Sequence, residues 1–268
     1  MDWARAKTIL IVTFLILNIF LSATIIYTNK NSQAAEYNRY AIEYLNSRNI
    51  QIATDLKNTS EKARRILYTT REFNLSKLSQ VVFGNQEVRK TSVEAIVYEK
   101  GNERIELTDD RLKITDQIDH GKKLFNNMDD FRKEVYSYLA KLGYKKRNLS
   151  LVSELESEDA KHLTFLIKYQ GALLFDQEIN ISLSKDGILE LFLPVKIVKK
   201  YTAPIEIITP YQLLVMANLP EGTIVSSVDF GYRQINEGEL YATPVWRVVL
   251  DNNNHLYFNA LTGEKLDG

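Results

Sequence analysis

Residues 8–27, with the sequence TILIVTFLILNIFLSATIIY, decide how this chain is organised. The stretch carries no charge and is about 20 residues long, the length that an α-helix needs to cross the ~30 Å hydrocarbon core of a bilayer. Only Thr13, Asn18, Ser22 and Thr24 interrupt its apolar interior. The pattern predicts a transmembrane helix over residues 8–27, after a tip of residues 1–7 and before a large polar-patterned domain.

The apolar stretch has three interpretations. A secretory signal peptide has an apolar region of roughly 7–15 residues, shorter than this one. One small-residue pair, Ser22-Ala23, lies inside the apolar run, and the cleavage-like Ser32-Gln33-Ala34 lies well beyond it. A core helix of a soluble protein would not be apolar on every face. A retained signal anchor is therefore the prediction, with a cleaved signal peptide as the alternative.

Charged and aromatic flanks indicate how the helix is oriented. Arg5 and Lys7 precede the span, and Lys30 is the first charge after it. Because basic residues favour the cytoplasmic side, the N-terminus is predicted in the cytoplasm and the domain outside, as in a single-pass protein of the cell membrane. Trp3 and Tyr27 lie near the two ends and, with Arg5 and Lys7, are predicted to anchor the helix at the membrane interfaces.

Composition excludes several classes of protein. Lys+Arg and Asp+Glu both number 34, so no net charge attracts nucleic acid, and no nucleic-acid partner is expected. The absence of cysteine removes disulfides, thiolate metal sites and thiol nucleophiles. Because the chain has 15 Tyr and 11 Phe, its composition favours β-structure with aromatic packing.

The remainder of the chain alternates helical and strand-like patterns. After a polar linker (28–36), we predict an extracytoplasmic α+β subdomain at 37–121 and a second one at 122–268. The second contains two units in which a helix precedes a β-meander. Helices followed by meanders predict an α+β fold with helices packed on antiparallel β-sheets.

Local signals for individual elements differ in strength. Asn127 can cap a helix with an apolar stripe from Met128 to Leu142, and Gly143 suits its end. Thr209-Pro210-Gln212 predicts a second helix start with a capping box. Gly101-Asn102 predicts a hairpin turn. The segment Leu78–Phe83, in which four of six residues are apolar, is interpreted as β-like.

No set of residues suggests catalysis. The three histidines, His120, His162 and His255, are scattered, and none has the spacing of a helical zinc site. The acidic residues between Glu154 and Asp159 lack the loop pattern that binds calcium. Nucleophile, phosphate-loop and dinucleotide motifs are absent. We therefore expect no catalytic residues, no metal and no cofactor, and a protein that is not an enzyme.

Both ends of the chain resemble one known family. The start of the chain resembles that of the YycI (WalI) family in three segments: Met1-Asp2-Trp3, Lys7-Thr8-Ile9 and the run FLILNIFL at 14–21. The end of the chain also resembles the end of that family, in the sequence TPVWRVVLDNNNHLYFNALTGEKL within residues 241–266. This second segment loosely resembles PepSY-type modules as well. The resemblance implies a regulatory protein of two-component systems in low-GC Gram-positive bacteria. It implies action on the YycG (WalK) sensor histidine kinase, with the sister protein YycH, through transmembrane helix contacts that adjust cell-wall homeostasis.

One face of the predicted helix could make such contacts. An amide near the bilayer centre is costly without a hydrogen-bond partner, and Ser22 lies one turn from Asn18. We predict that this face binds a partner's transmembrane helix. Its residues are Ile11, Phe14, Leu15, Asn18, Leu21, Ser22 and Ile25. The alternative is that Asn18 bonds only to its own helix backbone.

Two functions remain open from sequence. One is a membrane-anchored regulator that works by protein contact. The other is an extracytoplasmic binding module for a cell-wall fragment or peptide, tethered only for location. The regulator requires a particular helix face, whereas the tether requires only an apolar span.

Overall fold

The structure, a computed structural model, describes residues 3–56, 62–84, 89–90, 96–236 and 240–266, without the side chains of residues 4, 25–34 and 89–90. Helix α1 runs from Trp3 to Ser47 without interruption. No glycine or proline occurs in these 45 residues, so nothing in the sequence breaks the hydrogen-bond ladder. The helix continues through residues 28–36, where composition suggested a polar linker, and is about 67 Å long at 1.5 Å per residue.

The other helices are short. They are α2 (Leu75–Phe83), α3 (Gly121–Phe125), α4 (Met128–Lys141), α5 (Pro210–Met216) and a 3₁₀ turn at Lys146–Asn148. The strands are β1 (Gln51–Ile52), β2 (Lys62–Ala63), β3 (Ile66–Thr70), β4 (Arg89–Lys90), β5 (Ile96–Lys100), β6 (Glu103–Leu107), β7 (Arg111–Gln117), β8 (Leu149–Glu156), β9 (Ala160–Tyr169), β10 (Ala172–Ser184), β11 (Ile188–Pro194), β12 (Lys196–Tyr201), β13 (Ile205–Glu206), β14 (Ile224–Arg233), β15 (Tyr241–Leu250), β16 (His255–Asn259) and β17 (Lys265–Leu266).

Most of the described strands belong to one mixed sheet. Its main path is β12-β3-β15-β14-β10-β11-β7-β6-β5-β4, with β8 and β9 branching from β10. The pairs along β10, β11, β7, β6 and β5 are antiparallel. In contrast, β14 runs parallel to β10 and to β1. The predicted α+β class, an apolar N-terminal helix followed by helices on a mostly antiparallel sheet, is confirmed.

The chain divides into two compact units. Unit 1 contains residues 1–58, 209–227 and 249–254, and unit 2 contains residues 59–208, 228–248 and 255–268. Strands β14 and β15 contribute residues to both units. The subdomain boundary expected near Lys122 remains a prediction.

Unit 1 is built around the end of α1. Ala41 and Leu45 of α1 are fully buried, and α1 contacts α5, whose Leu213 and Leu214 are also buried. Helix α5 begins with the predicted capping box, because the Thr209 hydroxyl accepts from Gln212 N while the Gln212 side chain accepts from Thr209 N. The C-terminal end of α1 is thereby fixed in a small apolar core.

Unit 2 has a larger core between α4 and the sheet. Phe131, Val135 and Leu139 on one face of α4 share a buried cluster with Ile114 and Leu191 of the sheet. The Asn127 side chain caps α4 by accepting from Asp129 N and Asp130 N. Burial of such side chains contributes roughly 1.5–3 kcal/mol each relative to exposure. The helical stripe that predicts α4 is therefore its core-facing side.

The strand interpretation of Leu78–Phe83 is wrong, because these residues belong to helix α2. The Asn74 side chain accepts a hydrogen bond from Lys77 N and caps this helix. Leu78 and Val82, four residues apart, are buried on its inner face. An apolar run of this length fits a strand or a buried helix equally well, and the cap upstream distinguishes the two.

A buried polar pair links α4 to the sheet. The Tyr138 hydroxyl donates to Asp116 Oδ2 at 2.7 Å, and both residues are buried. Burial raises the pKa of Asp116, and the hydrogen bond from Tyr138 lowers it in part. The bond therefore supports the carboxylate inside the core.

We predict that Tyr138→Phe lowers the free energy of unfolding by about 1–3 kcal/mol, because it leaves a buried carboxylate without its donor. Urea unfolding of the full chain in a mild detergent measures the effect. Tyr136→Phe, also in α4 but with a half-buried ring, is the matched control and should change stability by no more than about 0.5 kcal/mol. Equal effects of the two substitutions would contradict the role given to the pair.

Candidate functional site

The N-terminal part of α1 is the feature of the described chain that the fold leaves uncovered. Residues Arg5–Thr24 have a mean hydropathy of 2.1, and none of this span is buried within the structure. By length and composition it is the one described helix able to cross a membrane. Its outward apolar side chains therefore need a cover that the rest of the described chain does not supply.

The predicted docking face lies on one side of this span. Ile11, Phe14, Leu15 and Leu21 are all exposed, as are Asn18 and Ser22. The side chain of Ile25 lies outside the described residues. Residues at i, i+3, i+4 and i+7 share a face of a helix, so the six described side chains form one continuous strip.

Asn18 uses only part of its hydrogen-bonding capacity within the helix. Its Nδ2 donates to the carbonyl oxygen of Phe14 at 3.0 Å. An asparagine amide has two N–H donors and an oxygen that accepts two bonds. In the described part of the chain, Oδ1 has no donor. Asn18 thus does bond to its own helix backbone, as the alternative interpretation expects, but this bond leaves its acceptor, Oδ1, free.

The hydroxyl groups of the span also differ in whether they form a hydrogen bond to the helix backbone. Thr13 Oγ1 donates to Ile9 O at 2.9 Å, and Thr24 Oγ1 donates to Phe20 O at 2.8 Å. Ser22 makes no hydrogen bond to any residue that the structure describes. A free acceptor on Asn18 and a free hydroxyl on Ser22 therefore lie one turn apart on the predicted face.

Three of the four predicted interface anchors lie at the start of the helix. Trp3 is exposed, and Lys7 Nζ lies 5.9 Å from the centre of its ring. Arg5 marks the first residue of the apolar span. The side chain of the fourth anchor, Tyr27, is outside the described residues. The anchoring role of all four residues stays a prediction.

The histidines and acidic residues of the domain form no common cluster in the described part of the chain. There, no group of three or more His, Asp or Glu side chains is placed to hold a metal ion. His120 lies 3.9 Å from Glu134, and His162 and His255 are on different strands. Burial lowers the pKa of His255. Two glutamates of the acidic run form ion pairs, Glu154 with Arg132 and Glu156 with Lys161.

Sequence reasoning missed one cluster of basic residues in unit 2. Arg71, Lys145, Lys168 and Lys196 line a single pocket, although they come from distant parts of the sequence. Their spacing along the sequence does not indicate that they lie close together in the fold. Gly143 suits the end of α4, two residues before Lys145, but this local signal does not indicate that the four residues lie together.

One comparison with known proteins shows the family of this chain. The family model described as YycI protein matches residues 28–261, most of the chain. No curated protein matches. A crystal structure of an uncharacterized protein from Eubacterium rectale is similar with a TM-score of 0.53 and 13% identity, over 82% of this chain and 91% of that one. The YpeB C-terminal domain of Bacillus megaterium has a TM-score of 0.47 and 15% identity, over 72% of this chain and 96% of that one. The first likeness concerns the fold alone.

We predict that the chain stays in the membrane with residues 8–27 attached. Mass spectrometry of the mature protein, purified from the membrane fraction of its native host, measures the N-terminus. We expect an N-terminus before Trp3 and no release by alkaline washing, because the apolar span is too long for a typical signal peptide. A mature N-terminus at Thr24 or Ala35 would contradict the anchor.

Proposed function

Because the chain belongs to the YycI family, whose members are regulatory proteins of two-component systems, we propose that it is a non-catalytic, membrane-anchored regulator of the YycG (WalK) sensor histidine kinase. It acts together with YycH and thereby adjusts cell-wall homeostasis signalling. Its contacts are made by transmembrane helices. Arg5 and Lys7 support an orientation with the N-terminus in the cytoplasm and the domain outside.

The observation that carries this proposal is the incomplete hydrogen bonding of Asn18. In hydrocarbon no water can bind the free Oδ1, so the acceptor is costly until another helix supplies a donor. Ser22 is small, which lets a second helix approach closely, and its hydroxyl can donate or accept across the contact. The surrounding Phe14, Leu15 and Leu21 provide dispersion contacts. A helix of the kinase or of YycH is the proposed partner.

The size of the effect follows from measured helix contacts in membranes. Interhelical hydrogen bonds of this type contribute about 0.6–2 kcal/mol. Loss of one therefore weakens an assembly several-fold to about thirty-fold without preventing it. The intrahelical bond to Phe14 reduces the cost of inserting Asn18, so insertion and docking are separable.

We predict that Asn18→Leu reduces co-purification with the kinase and shifts kinase output, while insertion and protein level stay unchanged. Pull-down from detergent extracts and a transcriptional reporter of the kinase measure the effect. Thr13→Leu is the matched control. It also removes a polar group with an i−4 backbone bond, but lies about 140° around the helix from Asn18.

The docking face is rejected if Asn18→Leu and Asn18→Leu/Ser22→Leu both leave co-purification and output unchanged. Equal losses in Thr13→Leu would show a general effect of span polarity instead. Leu17→Ala, an exposed apolar position outside the predicted face, should have little effect. These outcomes separate a specific face from mere apolarity.

We further predict that replacing residues 8–27 by an unrelated transmembrane helix abolishes regulation while preserving surface display of the domain. A regulator that works through a helix face loses its partner in this chimaera. A binding module that needs only a tether keeps its activity. Full kinase regulation by the chimaera, measured with the same reporter at equal protein levels, would favour the tethered module.

A further inference from the structure

A basic pocket in unit 2 has the composition of an anion-binding site. Its volume is about 290 Å³. The residues that line this pocket, called here the Arg71 pocket, are Arg71, Gly143, Tyr144, Lys145, Asn148, Ile167, Lys168, Tyr169, Leu174, Lys196, Ile197 and Val198. Four of them are cationic, and none of these described lining residues is acidic.

Arg71 is held in a fixed orientation at the pocket. Its Nη2 donates to Leu142 O at 3.1 Å, at the C-terminal end of α4. Its guanidinium lies between two aromatic rings, 4.9 Å from the centre of Phe73 and 4.6 Å from that of Tyr144. Gly143 adopts a φ of +92°, and a Cβ there would lie 3.1 Å from Arg71 Nη2. Such preorganisation leaves the remaining N–H groups ready for an oxyanion.

The four cations are unpaired, unlike many basic residues of this domain. Arg104, Arg132 and Lys161 each form an ion pair with a glutamate. Within the described chain, none of Arg71, Lys145, Lys168 and Lys196 has a carboxylate within ion-pair distance. Lys196 Nζ donates to the neutral Gln234 side chain at 2.9 Å. Burial raises the pKa of the half-buried carboxyl of Asp176, and nearby Lys196 lowers it in part, but the two groups form no ion pair.

A neutral donor and an apolar wall complete the pocket. The Tyr144 hydroxyl is buried and has no hydrogen-bond partner among the described residues. Burial raises the pKa of Tyr144, and the neighbouring Arg71 guanidinium lowers it in part, so the hydroxyl keeps its proton and can donate. Ile167, Leu174 and Val198 form an apolar wall. Positive charge, a free donor and an apolar wall together match a small organic oxyanion.

We propose that the Arg71 pocket binds a small oxyanion, a phosphate or carboxylate group, attached to an apolar or neutral moiety. Arg71 binds it through two parallel N–H···O bonds. Lys168 and Lys196 neutralise its charge, and Lys145 closes the exposed side. The site gives the domain a ligand of its own, and it does not depend on the proposed contact between transmembrane helices.

The test uses the full chain in micelles of an uncharged detergent, titrated in a calorimeter. One arm uses inorganic phosphate and the other succinate, with sodium chloride at matched ionic strength in both. We expect saturable binding of at least one of these anions and none of chloride. The arm that binds distinguishes a phosphate from a carboxylate source. Absence of saturable binding in both arms, up to millimolar concentrations, overturns the proposal.

Variants localise the binding. Lys168→Gln/Lys196→Gln should raise the Kd at least about tenfold, since each lost bond is charge-assisted. The control, Lys199→Gln/Lys200→Gln, removes the same charge from exposed positions of β12 outside the pocket and should leave the Kd unchanged. Equal weakening by both pairs would show attraction to bulk charge and overturn the site.

Arg71→Lys provides a second measure that retains the charge. It loses the bidentate geometry of the guanidinium, and we expect a rise of about tenfold in the Kd of the anion that binds. Thermal unfolding without anion controls for the fold. An unchanged Kd in Arg71→Lys, with the melting temperature preserved, would remove Arg71 from the site and overturn the proposal.

Discussion

Helix α1 depends on one physical constraint. An apolar span in hydrocarbon must satisfy its backbone N–H and C=O groups within itself. Residues Arg5–Thr24 have no protein around them, so the chain can meet this constraint only as a helix. The same helix continues to Ser47, where Ala41 and Leu45 are buried in unit 1. The span and the core of unit 1 therefore share one continuous helix.

Elements with strong local signals were predictable from sequence, and those with ambiguous signals were not. Helix α4 has a cap at Asn127 and a 3.6-residue stripe, and α5 has the capping box at Thr209, so neighbouring residues alone specify both. Helix α2 has a short apolar run from Leu78 to Phe83 that fits two structures. Its cap at Asn74 carried the deciding information, but an asparagine before an apolar run is also common in turns.

Long-range pairing explains most of what sequence could not predict. The parallel pairing of β10 with β14 brings Leu173 beside Gly231, although no periodicity in either strand indicates its partner. A Cβ at Gly231 would clash with Leu173 O and the Phe175 ring, so the glycine has a reason visible only in three dimensions. The Arg71 pocket is similar, because its cations come from the ends of β3 and α4 and from β9 and β12. The helix face around Asn18 differs, because one helix supplies all of its residues and helical spacing alone groups them; its role as a docking face stays a prediction.

Some polar groups of the described chain are fully paired within the fold, and others keep hydrogen-bonding capacity or charge that the fold does not use. In the domain, buried groups such as Tyr138 and Asp116 are paired with each other. Asn18 and the cations around Arg71 keep unused capacity, but their surroundings differ. Water can solvate an empty Arg71 pocket, so the proposed ligand would bind reversibly. Hydrocarbon cannot solvate Asn18 Oδ1, so in the proposed helix contact the partner's donor would be needed throughout. The two proposals therefore differ in kind, since one describes a lasting contact between helices and the other an exchangeable ligand.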